Sequence, residues 1–285
     1  MSLSYSFLIV FDERIIVIMS VSFQPRLGFF EYSAEKPQKL YYLEGGTGYP
    51  VLLLHGWGCS SETMQPLFRH LAANFHVYNF DLPGFGMSDE PPAAWDTNDY
   101  AALLADFIRQ NCTKPPVIIG HSFGGRLALR LAAQGIPKKL ILTGCAGLPP
   151  HRGLDYYAKV YSYKAAKKLL SLPGLSAKKE QLLQSARAKS GSADYQQASD
   201  TMRAVFVKTV NEDQTANLPK VTVPTILFWG ENDTATPLSD GQTMEKQMKN
   251  AALIVKKGGT HFAFLEFLAE FLAVADSFLQ PEKQA

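Results

Sequence analysis

Apolar positions along the chain form short runs that alternate with longer stretches of helical periodicity. The helical patterns lie near residues 62–72, 97–110, 123–134, 238–249 and 262–279. The runs are rich in leucine and β-branched residues and predict buried strands: KLYYLEG, PVLLLHG, HVYNFD, PVIIG, KLILTG, PTILFWG and ALIVKKG. This alternation is typical of α/β proteins, and we predict a mostly parallel, twisted sheet of about eight strands with helices on both faces.

The alternation stops once, between KLILTGCAGLPP and VPTILFWG. Residues from about 148 to 217 show helical patterns only, with SLPGLS as an internal turn. We therefore predict that residues 1–147 and 218–285 form the α/β core. Residues 148–217 are predicted to be a helical insertion between two late strands.

The N-terminal run MSLSYSFLIVFDERIIVIMSVSF is the most apolar part of the chain, but three consecutive charged residues, Asp12 to Arg14, divide it. Each half is too short to span a bilayer. The run also lacks the basic start and small-residue cleavage site of a signal peptide. We expect a strand or hairpin that leads into the sheet, and we assign no function to residues 1–18.

Composition and charge are ordinary for a globular protein of 285 residues, with 46% hydrophobic and 19% charged residues. A net charge of +2 gives no reason to expect nucleic acid as a partner. The three cysteines, Cys59, Cys112 and Cys145, are widely separated and lack metal-ligand spacing. These features favour reduced thiols in a cytoplasmic protein without membrane insertion, metal or cofactor.

The segment GHSFGG carries the strongest chemical signal, because residues 120–124 fit G-x-S-x-G between a predicted strand and a predicted helix. A serine at such a turn has a strained backbone, and the flanking glycines avoid clashes with the strand and the helix. Its hydroxyl is exposed at a helix N-terminus, where developing negative charge is stabilised. Ser122 is therefore the predicted nucleophile.

A serine nucleophile needs a base, and in this architecture the acid and then the histidine follow the serine along the chain. His261 follows the last predicted strand in KKGGTHFAF and is the predicted base. His121 is adjacent to Ser122 but is expected to point away from it. The remaining histidines are expected to brace a loop, lie at the surface or begin the insertion: His55, His70, His76 and His151.

The acid is expected in the polar loop of TILFWGENDTATP, where Asp233 is the predicted residue and Glu231 the alternative. An oxyanion hole needs two backbone N–H groups, one from the residue after the nucleophile and one from the loop after an earlier strand. Phe123 supplies the first. Trp57, in the glycine-rich loop of LLLHGWGCSS, is the predicted second donor.

Five motifs appear in the order typical of one family: LEGGTGYPVLLLHGWG, DLPGFGMSD, GHSFGG, WGENDTATP and GGTHF. With them the sequence resembles the α/β-hydrolase superfamily, specifically its lidded serine-hydrolase branch of carboxylesterases and meta-cleavage-product hydrolases. The resemblance implies an α/β-hydrolase fold and a lid formed by the insertion. It also implies a catalytic triad of Ser122, Asp233 and His261, with Trp57 and Phe123 as oxyanion donors.

The function that follows is a metal-free, cofactor-free serine hydrolase that cleaves a small carboxylic ester or related acyl substrate through an acyl-enzyme. One alternative is a hydrolase of carbon–carbon bonds in vinylogous diketones. Those enzymes commonly have asparagine before the serine and tryptophan after the histidine, where this chain has His121 and Phe262. The other alternative is a ligand-binding receptor that keeps the triad but has little turnover.

Overall fold

A computed structural model describes residues 25–32, 37–149 and 198–284 of the chain. Its sheet has eight strands in the order β1-β2-β4-β3-β5-β6-β7-β8. Strands β1 and β2 are antiparallel to their neighbours, and β3 to β8 are parallel. The strands are β1 Arg26–Tyr32, β2 Gln38–Gly45, β3 Pro50–Leu54, β4 His76–Phe80, β5 Val117–His121, β6 Lys139–Thr143, β7 Thr225–Gly230 and β8 Ala251–Lys256. The predicted fold class is confirmed.

Helices cover both faces of this sheet. The helices are α1 Gln65–Leu71, α2 Thr97–Asn111, α3 Phe123–Ala133, α4 Asp200–Val210, α5 Leu238–Gln247, α6 Ala263–Glu266 and α7 Leu268–Phe278, with 3-10 segments at Ser61–Met64 and Thr215–Lys220. On one face, apolar residues of α2, α3 and α5 pack against the sheet, and on the other face those of α1, α6 and α7 do so. Strand residues alternate between the two cores, as the period of two requires: Leu52 faces the first and Leu53 the second.

Local sequence explains where the helices begin and end, as α2 illustrates. The side chain of Asp96 accepts hydrogen bonds from the backbone N–H groups of Asn98, at 2.7 Å, and Asp99, at 3.3 Å. In return, the Asp99 carboxylate accepts from the N–H of Asp96 at 2.8 Å. This capping box satisfies N–H groups that have no partner within the helix and fixes the start of α2.

Two elements differ from the sequence-based expectation. Strand β1 was not among the predicted strands, and the N-terminal strand or hairpin that was expected falls on residues 1–23, outside the described residues. The predicted helix over 262–279 is divided into α6 and α7, because Phe267 has non-helical dihedral angles, φ −117° and ψ 44°.

Most of the predicted insertion, residues 150–197, also lies outside the described residues. The described end of the insertion contains helix α4, whose N-cap is Ser199. None of the helices described by the structure is long and apolar enough to cross a membrane.

Candidate active site

Ser122 lies at the sharp turn between β5 and α3. Among the described residues it is the one non-glycine residue with a positive φ, 50°. Two backbone hydrogen bonds hold the turn, from the Ser122 N–H to the Thr143 carbonyl at 3.0 Å and from the Ala146 N–H to the Ser122 carbonyl at 3.1 Å. Such a conformation costs about 1–3 kcal/mol and persists only where its surroundings impose it. The geometry is the one expected of a serine between a strand and a helix in G-x-S-x-G.

The flanking glycines allow this turn because no side chain fits beside them. A Cβ atom on Gly120 would lie 2.8 Å from the carbonyl carbon of Gly124. On Gly124 it would lie 2.2 Å from the carbonyl oxygen of Leu54. Helix α3 therefore packs directly against the backbones of β3 and β5, which sets the position of Ser122.

Gly124→Ala should lower the free energy of unfolding by about 2 kcal/mol or more, because the added methyl group overlaps a backbone carbonyl that cannot rotate away. Denaturant unfolding of the purified variant measures this loss. Gly135→Ala is the control, since Gly135 has φ 74° but no atom within 4 Å of the added Cβ. It should lose only the cost of the left-handed conformation, about 1–2 kcal/mol. A smaller loss for Gly124→Ala than for Gly135→Ala would contradict the packing argument.

His261 and Asp233 come together at the carboxyl end of the sheet, after β8 and β7. His261 Nδ1 lies 2.8 Å from Asp233 Oδ2. Asp233 Oδ1 accepts from the backbone N–H groups of Ala235 and Thr236, each at 2.9 Å. Burial of Asp233 acts to raise its pKa, but the hydrogen bonds from His261 and Thr236 outweigh burial and lower it. An ionised carboxylate only accepts, so Nδ1 of His261 carries the shared hydrogen and Nε2 is left as the acceptor.

Glu231, the alternative acid, points elsewhere. It is exposed, and its carboxylate accepts a hydrogen bond from the backbone N–H of Gly258 at 2.9 Å. The structure therefore brings Asp233, and not Glu231, to His261.

Thr236 and Gly144 complete the surroundings of the carboxylate, and sequence reasoning did not identify them. The Thr236 hydroxyl lies 2.9 Å from Asp233 Oδ2 and 3.0 Å from the Gly144 carbonyl oxygen. Gly144 follows β6 with φ 48°, and a Cβ there would lie 3.0 Å from His261 Nδ1 and 3.1 Å from Asp233 Oδ2. The histidine and the aspartate thus meet over a strand end that has no side chain.

His121, which was expected to point away from Ser122, lies beside His261. Its ring centroid lies 4.8 Å from that of His261, and the rings of Phe262 and Phe264 are each at 4.9 Å. His121 Nδ1 lies 3.1 Å from the Thr143 carbonyl oxygen. Burial, together with the neighbouring His261, lowers the pKa of His121 to about 3. His121 is therefore a neutral, buried ring that packs against His261, a contact that strand alternation alone did not reveal.

The two predicted oxyanion donors border the same turn. Phe123 is the first residue of α3, so its N–H has no acceptor within that helix. Trp57 follows Gly56, where an added Cβ would lie 3.4 Å from Ser122 Cβ, so this loop passes close to the serine. His55 braces the loop as expected: its Nε2 accepts from the Leu82 N–H at 3.0 Å, and burial lowers its pKa to about 4.

A cavity of about 290 Å³ opens beside Ser122. Trp57, Phe123 and Phe206 of α4 are among the residues that line it, and the Phe206 and Trp57 rings are 5.0 Å apart. Its volume is near the lower end of small-molecule sites. Among the described residues, no group of three or more histidine, cysteine, aspartate or glutamate side chains could hold a metal ion.

Comparisons with known proteins identify the family of the chain. The alpha/beta hydrolase family matches residues 51–274 of the chain. A pimeloyl-[acyl-carrier protein] methyl ester esterase of Legionella pneumophila (strain Paris) is 24% identical over 249 residues, which cover 82% of this chain and 97% of that enzyme. The protein of the same name from Neisseria meningitidis serogroup C / serotype 2a (strain ATCC 700532 / DSM 15464 / FAM18) is 28% identical over 243 residues, 81% of this chain and 93% of its own length.

Among solved structures, an esterase (EaEST) from Exiguobacterium antarcticum has a TM-score of 0.67 and 24% sequence identity, and the match covers 88% of this chain and 98% of that one. This likeness shows the fold, while the family match spans most of the sheet and every predicted site residue. The chain belongs to the alpha/beta hydrolase family.

Proposed function

We propose that this protein hydrolyses small carboxylic esters through an acyl-enzyme formed on Ser122. The observation that carries the proposal is the 2.8 Å contact between His261 Nδ1 and Asp233 Oδ2 at the sheet edge where Ser122 occupies its strained turn. Ser122 follows β5, Asp233 follows β7 and His261 follows β8, and these parallel strands end at the same edge of the sheet. The group has the composition and chain order of a serine hydrolase triad.

In the first half-reaction, His261 Nε2 takes the proton of the Ser122 hydroxyl while Oγ attacks the carbonyl carbon of the ester. The electron pair of the C=O bond moves to its oxygen, and the N–H groups of Trp57 and Phe123 stabilise that charge. Asp233 stabilises the positively charged ring of His261. When the C=O bond re-forms, the bond to the alcohol breaks, and His261 gives its proton to the departing alkoxide.

In the second half-reaction, water attacks the acyl carbon and gives a proton to His261 Nε2. The same two N–H groups stabilise the new oxyanion. Collapse of this intermediate breaks the bond to Ser122 Oγ, which recovers its proton from His261. The products are a carboxylic acid, an alcohol and the unchanged enzyme, so no step needs a metal or a redox partner.

Two observations support an ester as the substrate. The relatives from Legionella pneumophila and Neisseria meningitidis are both named as methyl ester esterases. The cavity of about 290 Å³ suits a small molecule. These names favour ester hydrolysis over the cleavage of vinylogous diketones and over a receptor with little turnover.

Helix α4 supports a role for residues 148–217 as a lid. Three residues of this helix line the cavity beside Ser122: Phe206, Thr209 and Val210. We therefore include the predicted lid in the proposal. The three cysteines are free thiols in the structure. Their reduced state in the cell and the cytoplasmic location stay predictions.

Steady turnover of 4-nitrophenyl butyrate tests the proposal. We expect many equivalents of nitrophenol per protein molecule, released linearly after any initial burst, since an acyl-enzyme that water hydrolyses returns to the free serine. A vinylogous diketone, incubated in parallel, should be cleaved far more slowly. Release of one equivalent or less would support the receptor alternative, and preferential cleavage of the diketone would support the carbon–carbon hydrolase.

A further inference from the structure

Arg126 is a buried charged residue that the mechanism above does not use. It lies one turn after Ser122 in α3, and its side chain is only 5% exposed. It lines the same cavity as Ser122. Arginine is rarely buried without partners that neutralise its charge and satisfy its N–H groups.

The protein partners of the Arg126 guanidinium that the structure describes engage only one of its nitrogen atoms, Nη1. Nη1 donates to the main-chain carbonyl oxygen of Glu212 at 2.8 Å and lies 3.8 Å from the Glu212 carboxylate. A guanidinium has five N–H donors. In the ranges 25–32, 37–149 and 198–284, the structure gives the Arg126 side chain no other hydrogen bond or ion pair.

Glu212 is the one carboxylate within ion-pair distance of Arg126 among the described residues, and Asp213 adds a weaker attraction from farther away. The carboxylate of Glu212 forms its closer ion pair with Arg130, which also donates to Thr97 Oγ1 at 2.9 Å. Two guanidinium groups therefore share one carboxylate. Asp240 lines the cavity as well, but it has an interaction partner of its own. A buried cation with incomplete compensation is costly unless a bound anion completes it.

We infer that Arg126 binds a carboxylate of the substrate, so that the preferred ester carries a second, anionic group in addition to the ester bond that is cleaved. This inference rests on the proposed function. A guanidinium can bind a carboxylate through two parallel hydrogen bonds, which fixes the orientation of the substrate as well as its charge. Because Ser122 and Arg126 line the same cavity one helical turn apart, the substrates that fit this arrangement are half-esters of short dicarboxylic acids or acyl esters of short hydroxy acids.

Two pairs of esters test this inference. In the first pair the carboxylate belongs to the acyl part of the ester, and in the second pair it belongs to the alcohol part. The first pair is the mono-4-nitrophenyl ester of glutaric acid and 4-nitrophenyl 5-methylhexanoate, in which an isopropyl group replaces the carboxylate. The second pair is 4-acetoxybutanoate and 4-methylpentyl acetate, followed by acid release at constant pH. The wild-type protein should show a higher kcat/KM for the charged member of at least one pair, chiefly through a lower KM.

Arg126→Gln should reduce that preference by about 10- to 100-fold, the range expected for losing a hydrogen-bonded charge pair. Arg130→Gln is the matched control, because it also removes a partner of Glu212 but Arg130 is not among the residues that line the cavity. The ratio of kcat/KM within each pair should change much less in Arg130→Gln than in Arg126→Gln, because Arg126 keeps its place in the cavity lining. Using this ratio cancels any general loss of activity or of folded protein.

The possible results separate this inference from the proposed function. If the wild-type protein hydrolyses the neutral esters but shows no preference for a charged ester, the inference is wrong and the proposed function stands. An unchanged preference in Arg126→Gln, or an equal fall in Arg130→Gln, would also contradict it. If no ester is hydrolysed, the proposed function itself fails. If Arg126→Gln does not fold, inhibition of the wild-type protein is measured instead. Competitive inhibition by glutarate but not by pentanol would support the inference, and no inhibition by glutarate would contradict it.

Discussion

Ser122→Ala should reduce kcat/KM for 4-nitrophenyl butyrate by about 10⁴-fold or more while the protein stays folded. The change removes the proposed nucleophile, Oγ, and the remaining groups cannot replace it. The fold should tolerate the change because Ser122 is half-buried and the turn is held by main-chain hydrogen bonds that alanine keeps. Steady-state kinetics measure the loss, and thermal unfolding followed by circular dichroism measures the fold.

Ser277→Ala provides the control for this experiment. Ser277 is an exposed serine of α7 and does not line the cavity, so its removal should leave the kinetics unchanged. If Ser122→Ala retained more than a tenth of the wild-type activity, another residue would have to be the nucleophile.

Asp233→Asn should lower kcat by about 10³- to 10⁴-fold. An asparagine side chain can donate its N–H to His261 Nδ1, and the ring then carries its proton on Nε2, where it cannot accept the serine proton. The surroundings of residue 233 favour this orientation of the asparagine, since the Ala235 and Thr236 N–H groups hold the side-chain oxygen and direct the amide nitrogen toward the histidine. Comparison of kcat for the purified variant and the wild-type protein measures the effect.

Glu231→Gln is the matched control because it makes the same chemical change two residues earlier. Glu231 is exposed and bonded to the Gly258 N–H, so the variant should keep activity within a few-fold of the wild-type protein. If the two variants behaved in the opposite way, Glu231 would be the acid in solution and the observed pairing of His261 with Asp233 would not describe the active enzyme.

The sheet could be predicted because most of its strands are buried and parallel. Strands such as β3 and β5 have every residue buried, and their continuous apolar runs are easy to recognise. Strand β1 lacks such a continuous apolar run. It lies at the edge of the sheet, and its sequence RLGFFEY leaves Leu27 and Phe29 exposed while Phe30 packs against the core, so neither a continuous run nor a polar alternation appears.

The break between α6 and α7 had no sequence signal either. Apolar residues recur at helical spacing through 262–279, and no glycine or proline interrupts them. The chain bends at Phe267, which packs beside the second core and against Gly259. Tertiary packing, which a local pattern does not contain, overrides the helical propensity here.

For the candidate site, the sequence predicted the residues whose position follows from topology. Ser122, Asp233 and His261 each follow a parallel strand, and such positions converge at one edge. The direction of a side chain within a buried layer does not follow from strand order. The contact of the His121 ring with His261 and the place of Arg126 in the cavity lining depend on how α3, α4 and α6 pack, and only the assembled fold gives that packing.

Gly144 shows how space, as distinct from chemistry, limits the residues that a position can accept. It has no functional group, yet any side chain would press on His261 and Asp233 together and would also occupy the left-handed backbone region. The residues of the proposed triad can be replaced by side chains of similar shape, with an expected loss of rate. At Gly144 even the smallest side chain would come within 3.0–3.1 Å of both partners, so we expect this position to tolerate fewer substitutions than the residues proposed to perform the reaction.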